Sequence, residues 1–183
     1  MTHDEAIEFL GSAGPWRGTW IDIGAGTGTF TRALAELIGP RGTVIAIDRD
    51  DRSVADLQRS LSRTDSSAAR VIAVQGDMQD LSSIPALHGI ELDGALFANV
   101  LHFTRKPETV LAGVAQRLRA DGRIVVIEYD RRRPNPWVPH PLPFDRLADV
   151  ARRAGLGEPN AVARRPSAYH RQMYCAVLAS CLQ

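Results

Sequence analysis

A glycine-rich turn joins a predicted strand to a predicted helix near the start of the chain, and it constrains the fold more than any other segment. The strand is the apolar run Thr19–Ile23, and the helix is Thr29–Ile38, whose apolar residues recur at helical spacing. Between them lies Asp22–Gly28, which reads Asp-Ile-Gly-Ala-Gly-Thr-Gly. Glycine lets backbone approach a ligand closely, and the N–H groups of the following helix point at the same place. The turn therefore predicts a ligand site at the end of the first strand.

Further apolar runs alternate with helix-period segments, which favours a parallel sheet covered by helices on both faces. The later predicted strands are 43–48, 71–74, 94–98 and 123–128, followed by two more near 159–163 and 172–179. The later predicted helices are about 52–61, about 107–121 and about 144–154. We assign Leu92 to a turn before the fourth strand, and Leu118 to a core position of the helix that begins at Pro107. The pattern predicts a doubly wound sheet of seven strands whose last two form an antiparallel hairpin.

Length and composition fit one globular domain over residues 1–183, with 44% hydrophobic and 23% charged residues. We divide it into an N-terminal helix or lid over 1–18, the αβ body, and a proline-rich loop over 130–143 that holds five of the 11 prolines. No apolar run approaches the roughly 20 residues that span a bilayer, and the N-terminus lacks a signal-peptide pattern. We therefore expect a cytoplasmic protein without membrane contacts.

Charge is distributed unevenly along the chain. Residues 1–116 carry 10 basic and 15 acidic side chains, whereas residues 117–183 carry 12 basic side chains, all arginine, and 6 acidic ones. An arginine-rich C-terminal part can bind a polyanion, but a solvated surface with local ion pairs gives the same pattern, and we favour the surface. The two cysteines, Cys175 and Cys181, lack metal-ligand or redox spacing, so we expect reduced thiols and no metal site.

An acidic residue follows the second predicted strand, twenty positions after the glycine turn. This is Asp48, whose carboxylate can accept hydrogen bonds from two neighbouring ribose hydroxyls, although a turn residue at a strand end is the alternative. The turn itself is spaced Gly24-x-Gly26-x-Gly28, one residue tighter than the G-x-G-x-x-G pattern of dinucleotide-binding proteins. Because ligands of open αβ sheets bind beyond the carboxyl ends of the strands, the turn and Asp48 converge on one crevice.

Two further motifs follow later strands: Gly76-Asp77-Met78 after the third, and Phe97-Ala98-Asn99-Val100-Leu101-His102 at the fourth. With the glycine turn and Asp48, these four ordered motifs make this chain resemble the class I S-adenosylmethionine-dependent methyltransferases, particularly the small-molecule type related to ubiquinone and menaquinone biosynthesis. The resemblance covers roughly residues 19–130 and implies a Rossmann-like fold, S-adenosylmethionine as cofactor and S-adenosylhomocysteine as product. The implied cofactor-binding residues are Asp22, Gly24, Ala25, Gly26, Thr27 and Gly28 for the methionyl part, Asp48 for the ribose, Asp77 and Met78 for the adenine, and Asn99 beside the sulfonium, with Arg49 as a further cofactor-binding residue.

Residues after the fourth and fifth strands are the candidates for catalysis. His102 is the best general base by residue type, and the alternative is that it forms the pocket wall or caps the next helix. Tyr129 either orients an oxygen acceptor or packs, and Asp130 either lies near the methyl group or pairs with the arginines that follow it. Glu128, which precedes Tyr129, is a further candidate near the methyl group. Methyl transfer needs a base only when the acceptor loses a proton that water cannot take.

The segment after the fifth strand lies where this family builds its acceptor-side wall. Phe103, Arg131 and Trp137 are the candidate substrate residues: arginine binds carboxylate or phosphate, and tryptophan stacks on a planar acceptor. The alternative is a surface loop in which Arg131–Arg133 are solvated. Residues Asp4–Leu10, with Trp16 and Arg17 after them, form either a lid over the cofactor or a packing helix. The acceptor pocket is then open, completed by a second subunit, or suited to a large partner.

Four functions compete at this point. We favour methyl transfer to a small-molecule acceptor. Methylation of a protein or RNA is the second, although the segment Asn99–His102 lacks the Asn/Asp-Pro-Pro-Tyr/Phe run of amino-group methyltransferases that act on DNA and protein glutamine. A module that binds S-adenosylmethionine without transfer is the third. A nicotinamide dehydrogenase is the fourth, and the tight glycine spacing disfavours it.

Overall fold

A single mixed sheet organises the protein. The computed structural model describes residues 1–61, 67–131, 133–167 and 172–180. The strands are β1 (Thr19–Ile23), β2 (Thr43–Asp48), β3 (Arg70–Gln75), β4 (Leu92–Ala98), β5 (Leu118–Tyr129), β6 (Asn160–Pro166) and β7 (Gln172–Ala179). The α-helices are α1 (His3–Gly11), α2 (Thr29–Ile38), α3 (Asp51–Leu61), α4 (Pro107–Ala115) and α5 (Phe144–Arg153), with 3₁₀ turns at Leu81–Ser83, Pro85–Leu87 and Leu101–Phe103. Among the helices so described, none is long and apolar enough to cross a membrane.

The strand order is β3-β2-β1-β4-β5-β7-β6. Strands β1 to β5 pair in parallel, while β7 is antiparallel to both β5 and β6. This confirms the predicted doubly wound, mostly parallel sheet of seven strands with its antiparallel C-terminal hairpin. The order reverses between β1 and β4, and the crevice at such a reversal, outside the carboxyl ends of the strands, is where open αβ sheets bind ligands.

Two predicted boundaries around the fourth and fifth strands are wrong. Leu92 begins β4 instead of lying in a turn, and Leu118 begins β5 instead of continuing the helix, which ends at Ala115. The two leucines pair with each other, and the register then shifts, so that Gly94 pairs with Arg123. The residues between Leu118 and Arg123 form an irregularity in β5, and their Asp-Gly pair has the local pattern of a helix end. The cause is a long-range strand pairing that local periodicity does not encode.

Both faces of the sheet are buried, as expected for parallel strands covered by helices. Strand β1 shows the alternation. Ile21 and Ile23 lie in a core formed with α4, α5 and the 3₁₀ turns, whereas Trp20 lies in the opposite core with α1 and α2. Asp22 also points toward α2, where the Thr31 hydroxyl donates a hydrogen bond of 2.6 Å to its carboxylate. A charged residue thus lies in the central strand, directly beneath the glycine turn.

The N-terminal segment forms helix α1, which begins with a capping box between Thr2 and Glu5. Its buried face, including Phe9 and Leu10, packs into the α2-side core. Trp16, which follows it, contacts Trp20 with ring centroids 4.7 Å apart. The body of α1 therefore has the geometry of a packing helix. Only its first turn reaches the ligand crevice.

Gly94 is packed so closely that we expect Gly94→Ala to lower the free energy of unfolding by about 2–3 kcal/mol. A Cβ there would lie 2.5 Å from the ring of Trp20, which is 1% exposed and cannot move aside. Gly113→Ala in α4 is the matched control, since its Cβ would meet nothing within 4 Å. Alanine favours helix, so Gly113→Ala should stabilise by about 0.5–1 kcal/mol. Urea unfolding measures both, and equal effects of the two changes would contradict this packing.

Candidate active site

The three glycines of the turn have different roles, although all have positive φ angles: 74° at Gly24, 53° at Gly26 and 87° at Gly28. A Cβ on Gly24 would lie 2.4 Å from Val100, and one on Gly28 would lie 2.3 Å from Leu57. A Cβ on Gly26 would meet nothing within 4 Å. Gly24 and Gly28 therefore pack against the protein, whereas Gly26 faces open space where a ligand can approach the backbone.

Asp48 fixes the glycine turn from the neighbouring strand. Its Oδ2 accepts a hydrogen bond of 2.7 Å from the N–H of Gly26, and its Oδ1 accepts one of 2.9 Å from the N–H of Asp50. Each carboxylate oxygen has a second lone-pair direction, so Asp48 can still accept hydrogen bonds from a ligand. The N–H groups of Gly24 and Ala25 both donate to the carbonyl of Ile47, which holds the turn over the end of β2.

A cavity of about 370 Å³ opens beyond the carboxyl ends of the first four strands. It is lined by Gly24, Gly26, Asp48, Arg49, Asp77, Met78 and Asn99, all predicted to bind the cofactor, and by residues such as Ile47, Gln79, Val100 and Phe103. Asn99 is the one non-glycine residue with positive φ (56°) among those the structure describes, and its buried Oδ1 has no hydrogen-bond partner there. A strained asparagine with an unpaired acceptor in a crevice is the arrangement expected of a ligand-binding residue.

A second cavity, of about 520 Å³, lies on the other side of the turn. Gly24, Ala25, Gly26, Thr27 and Asn99 line it, together with the start of α2, Glu5 of α1 and Arg165 of β6. Helix α2 begins at Thr29, and its N-cap residue Gly28 has no side chain to cap it, so the first N–H groups of the helix are available to a ligand. The Arg165 guanidinium pairs with Glu5 at 2.7 Å. The backbone N–H groups at the start of α2 and the guanidinium of Arg165 thus lie around the same cavity.

S-Adenosylmethionine fits this donor set. Acidic side chains at Asp48 and Asp77 suit ribose hydroxyls and an exocyclic amine, Met78 is an apolar surface beside them, and the second cavity offers N–H groups and Arg165 for a carboxylate. Asp22 and Gly28 were predicted to bind the cofactor, but they line neither cavity. Asp22 is buried beneath the turn, and Gly28 is the N-cap residue of α2. The two residues therefore shape the turn.

Asp22 is the one group of the site with a large pKa shift, among the residues described. Burial raises the pKa of Asp22 to about 7, the hydrogen bond from Thr31 opposes this, and the nearby charge of Asp48 adds to it. Because the pKa in the folded state lies above the ordinary value of 3.8, the folded protein binds more protons than the unfolded chain between about pH 4 and 7. Stability contributed by this group is therefore lost as pH rises through that range.

We expect Asp22→Asn to be more stabilising, relative to the native protein, at pH 8 than at pH 5, by on the order of 2–3 kcal/mol. The amide stays neutral and still accepts the hydrogen bond from Thr31, so it escapes the cost of a buried charge. Urea unfolding of both proteins at the two pH values measures the difference. Asp56→Asn, at an exposed position of α3, is the control and should show no such pH dependence. A pH-independent effect of Asp22→Asn would refute the buried charge.

A third cavity, of about 510 Å³, lies beyond β4 and β5 and is mostly apolar. Its lining is Asn99, His102, Phe103, Tyr129, Arg131, Asn135, Trp137 and Val138. It thus includes the predicted catalytic residues His102 and Tyr129 and the three predicted substrate residues, but not the candidates Glu128 and Asp130. Phe103 and Trp137 are 46% and 77% exposed, which is unusual for large aromatic side chains. Asn99 lines all three cavities, so the third cavity adjoins the other two.

His102 and Glu128 form a buried pair at the floor of this third cavity. Nδ1 of His102 lies 2.7 Å from Oε2 of Glu128, and the two residues are 2% and 1% exposed. The Glu128 carboxylate also accepts hydrogen bonds from the backbone N–H groups of His102 (3.2 Å) and Tyr129 (3.4 Å). The ring of Tyr129 lies 6.1 Å from that of His102 between centroids. A carboxylate held by two N–H groups thus fixes the imidazole ring.

The proline-rich loop builds the outer wall of the third cavity. Asn135 closes a tight turn in which its side-chain oxygen accepts hydrogen bonds from the N–H groups of Trp137 (3.0 Å) and Val138 (2.7 Å). Asp130 does not pair with the adjacent arginines in the described part of the chain; its carboxylate pairs with Arg164 at 2.8 Å. The predicted segment Arg131–Arg133 is described only at its two ends, because Arg132 lies outside the described residues, as does Cys181.

The sequence reasoning missed Arg165 and gave Glu128 no specific role. Arg165 belongs to β6, far along the chain from the glycine turn, and only the pairing of β6 with β7 brings it there. Glu128 ends a strand pattern next to Tyr129, and its partner His102 is 26 residues away. An acidic residue in an otherwise apolar strand was the available signal. Arg17, by contrast, pairs with Asp121 and does not line any of these three cavities.

Comparison with known proteins agrees with this geometry. A family model described as a methyltransferase domain matches residues 21–124. The chain is 33% identical over 102 residues to an ornithine lipid N-methyltransferase of Singulisphaera acidiphila, covering 49% of this chain and 51% of that protein. It is 31% identical over 111 residues to a ubiquinone/menaquinone biosynthesis C-methyltransferase of Ectopseudomonas mendocina, covering 61% of this chain and 41% of that one. The chain thus spans about half the length of these relatives.

The fold has close counterparts among solved structures. One is an arsenic(III) S-adenosylmethionine methyltransferase from Chlamydomonas reinhardtii, which superposes with a TM-score of 0.68 at 19% identity over 87% of this chain and 62% of that one. At this level of identity the likeness concerns the fold, and the family model carries the assignment. With more than half of its length matched by that model, this chain belongs to the methyltransferase-domain family, the class I S-adenosylmethionine-dependent methyltransferases.

Proposed function

We propose that this protein transfers a methyl group from S-adenosylmethionine to a small-molecule acceptor that binds in the third cavity. The observation that carries the proposal is the position of Asn99, which lines the two cofactor cavities and the aromatic cavity alike. A methyl group held near Asn99 would face an acceptor lying against His102 and Tyr129. The proximity of two bound molecules is what such a reaction chiefly needs from the protein.

The proposed cofactor contacts follow from the donors and acceptors present. Asp48 accepts the ribose hydroxyls, Asp77 accepts the adenine amine, and Met78 packs on the ring. The backbone of Gly24–Gly28 and the guanidinium of Arg165 hold the methionyl part. Asn99 lines the crevice, and we assign to its buried, unpaired Oδ1 a hydrogen bond from the cofactor's amino group. The cofactor supplies an electrophilic methyl group with a good leaving group, so these residues bind and orient.

The volume of the third cavity supports a small-molecule acceptor. Its volume of about 510 Å³ is in the range of small-molecule sites, and it is mostly apolar with a few polar groups. One of the named relatives is an ornithine lipid N-methyltransferase and the other a ubiquinone/menaquinone biosynthesis C-methyltransferase, so the family does not decide between acceptors. An open aromatic wall at Trp137 also allows a larger acceptor to project outward, which keeps methylation of a protein or RNA as the second candidate.

Methyl labelling of a fractionated cell extract tests the proposal. The protein is incubated with S-adenosylmethionine carrying a deuterated methyl group and an extract of the organism that bears the gene, divided by ultrafiltration into small molecules and macromolecules. We expect the label in the small-molecule fraction, detected by mass spectrometry. Label confined to the macromolecular fraction would favour the second candidate, and cofactor binding without label in either fraction would favour a non-catalytic binding module.

The control for this experiment is Trp137→Ala. Trp137 is 77% exposed, so its loss should not unfold the protein, and the cofactor cavities do not include it. We expect methyl transfer to fall at least tenfold with unchanged affinity for S-adenosylhomocysteine. Unchanged transfer would place the acceptor elsewhere.

A further inference from the structure

We propose that the acceptor is a planar aromatic molecule with a hydroxyl group that is methylated and an anionic substituent, and that His102, held by Glu128, takes the hydroxyl proton. This inference rests on the proposed function and names its substrate class. Three features of the third cavity carry it: the orientation of the imidazole, the cation at the rim and the aromatic walls.

The buried pair leaves His102 able to accept a proton. Because Oε2 of the Glu128 carboxylate lies 2.7 Å from Nδ1, the neutral ring donates from Nδ1 and carries its lone pair on Nε2. Nε2 makes no hydrogen bond to any residue the structure describes, and the ring lines the cavity. A histidine with a purely structural role uses both nitrogens when buried. Here Nδ1 is fixed by Glu128, and Nε2 has no partner among the described residues.

Glu128 is the positioning residue. Two backbone N–H groups and Nδ1 donate to its carboxylate, so it is held as an acceptor in one orientation. A carboxylate at Nδ1 sets the tautomer and stabilises the imidazolium that forms when Nε2 takes a proton. An amine acceptor is nucleophilic in its neutral form, whereas a neutral hydroxyl is a poor nucleophile. A dedicated base beside the methyl group therefore favours an acceptor that attacks through oxygen.

Arg131 supplies the charge complementarity. Its Nε donates to the carbonyl of Arg133 at 2.8 Å, and the described residues give its guanidinium no carboxylate partner. No acidic side chain lines the third cavity, so Arg131 leaves it with a net positive rim. The remaining N–H groups of a guanidinium match the two oxygens of a carboxylate. Phe103 and Trp137 provide flat apolar surface at the same opening.

The transfer step balances as follows. The hydroxyl proton of the acceptor moves to Nε2 of His102, and the oxygen electron pair forms the new bond to the methyl carbon. The bond between that carbon and the sulfonium sulfur breaks, and its electrons stay on sulfur, which becomes the neutral thioether of S-adenosylhomocysteine. Overall one proton is released from the enzyme after each turnover.

Binding of a chromogenic probe to the complex with S-adenosylhomocysteine tests the inference without turnover. The probe is 4-hydroxy-3-nitrobenzoate, whose absorbance reports ionisation of its hydroxyl, and the matched probe without the carboxylate is 4-hydroxy-3-nitrobenzamide. We expect the hydroxyl of the bound benzoate to ionise at a pH at least one unit below the pH at which the hydroxyl of the free benzoate ionises. His102→Gln and Glu128→Gln should remove that shift in ionisation for both probes while changing the affinity for S-adenosylhomocysteine less than threefold, since neither residue lines the first or second cavity.

Arg131→Gln and Trp137→Ala keep the test decisive if a buried variant does not fold. Arg131→Gln should weaken the benzoate about tenfold and leave the benzamide unchanged, and Trp137→Ala should weaken both about tenfold. If S-adenosylhomocysteine binds but neither probe does, the inference is overturned while the proposed function stands. Equal loss of both probes in Arg131→Gln, or an unshifted ionisation in the native protein, would also overturn it. If S-adenosylhomocysteine itself does not bind, the proposed function fails first.

Discussion

Gly26→Ala is expected to weaken S-adenosylmethionine binding at least 100-fold while lowering the free energy of unfolding by only about 1–2 kcal/mol. The added Cβ meets no protein atom within 4 Å, so the fold accommodates it apart from the strain of a φ of 53°. Gly26 lines both the first and the second cavity, so the same Cβ would occupy open space beside a ligand bound there. A ligand that approaches the backbone at this point is blocked by one methyl group.

Gly24→Ala is the matched variant two residues earlier. Its Cβ would lie 2.4 Å from Val100, and its φ is 74°, so strain and overpacking act together. We expect a loss of about 2–4 kcal/mol in the free energy of unfolding. Urea unfolding and titration calorimetry on both variants separate the two effects. Cofactor binding by Gly26→Ala at native affinity would show that the turn does not touch the ligand.

Asp48→Ala should weaken binding of S-adenosylmethionine and S-adenosylhomocysteine by about 100-fold, or more. The change removes the acceptor proposed for the ribose hydroxyls and also the hydrogen bond of 2.7 Å that fixes Gly26. Charge-assisted hydrogen bonds of this kind are worth about 1.5–3 kcal/mol each, and a factor of 100 corresponds to about 2.7 kcal/mol. Titration calorimetry measures the loss for both ligands.

The control for Asp48 removes a carboxylate that is nearby but exposed. Asp56 lies on the outer face of α3 and lines neither cofactor cavity, so Asp56→Ala should leave both affinities within twofold. Native affinity in Asp48→Ala would reject the ribose assignment. A comparable loss in both variants would indicate a general effect of charge on the cofactor.

Local pattern was sufficient to predict the strand–turn–helix unit and the sheet class. The bounds of β1, α2 and β2 are those expected, because a short apolar run, a glycine turn and an amphipathic helix each have a local pattern. The start of β5 was not predictable in this way. Leu118 continues a helical spacing in sequence, and only its pairing with Leu92 across the sheet makes it a strand residue.

The same distinction between local pattern and long-range contact applies to the residues of the site. Residues at strand ends, such as Asp48 and Asn99, could be assigned because the topology places all such ends at one edge. The relation of His102 to Glu128, and the approach of Arg165 to the glycine turn, depend on side-chain packing between distant segments. Sequence also predicted Asp22 as a ligand contact, whereas its burial beneath the turn and its hydrogen bond with Thr31 indicate a supporting role.

Calorimetric titration of the native protein with S-adenosylmethionine, S-adenosylhomocysteine and NAD tests the central claim most directly. The tight glycine spacing, the free space at Gly26 and the unpaired Oδ1 of Asn99 are the features from which we propose a site for the first two ligands. We expect each of them to bind with one molecule per chain, and NAD to give no heat of binding. Tight binding of NAD, with neither S-adenosyl compound bound, would contradict the account.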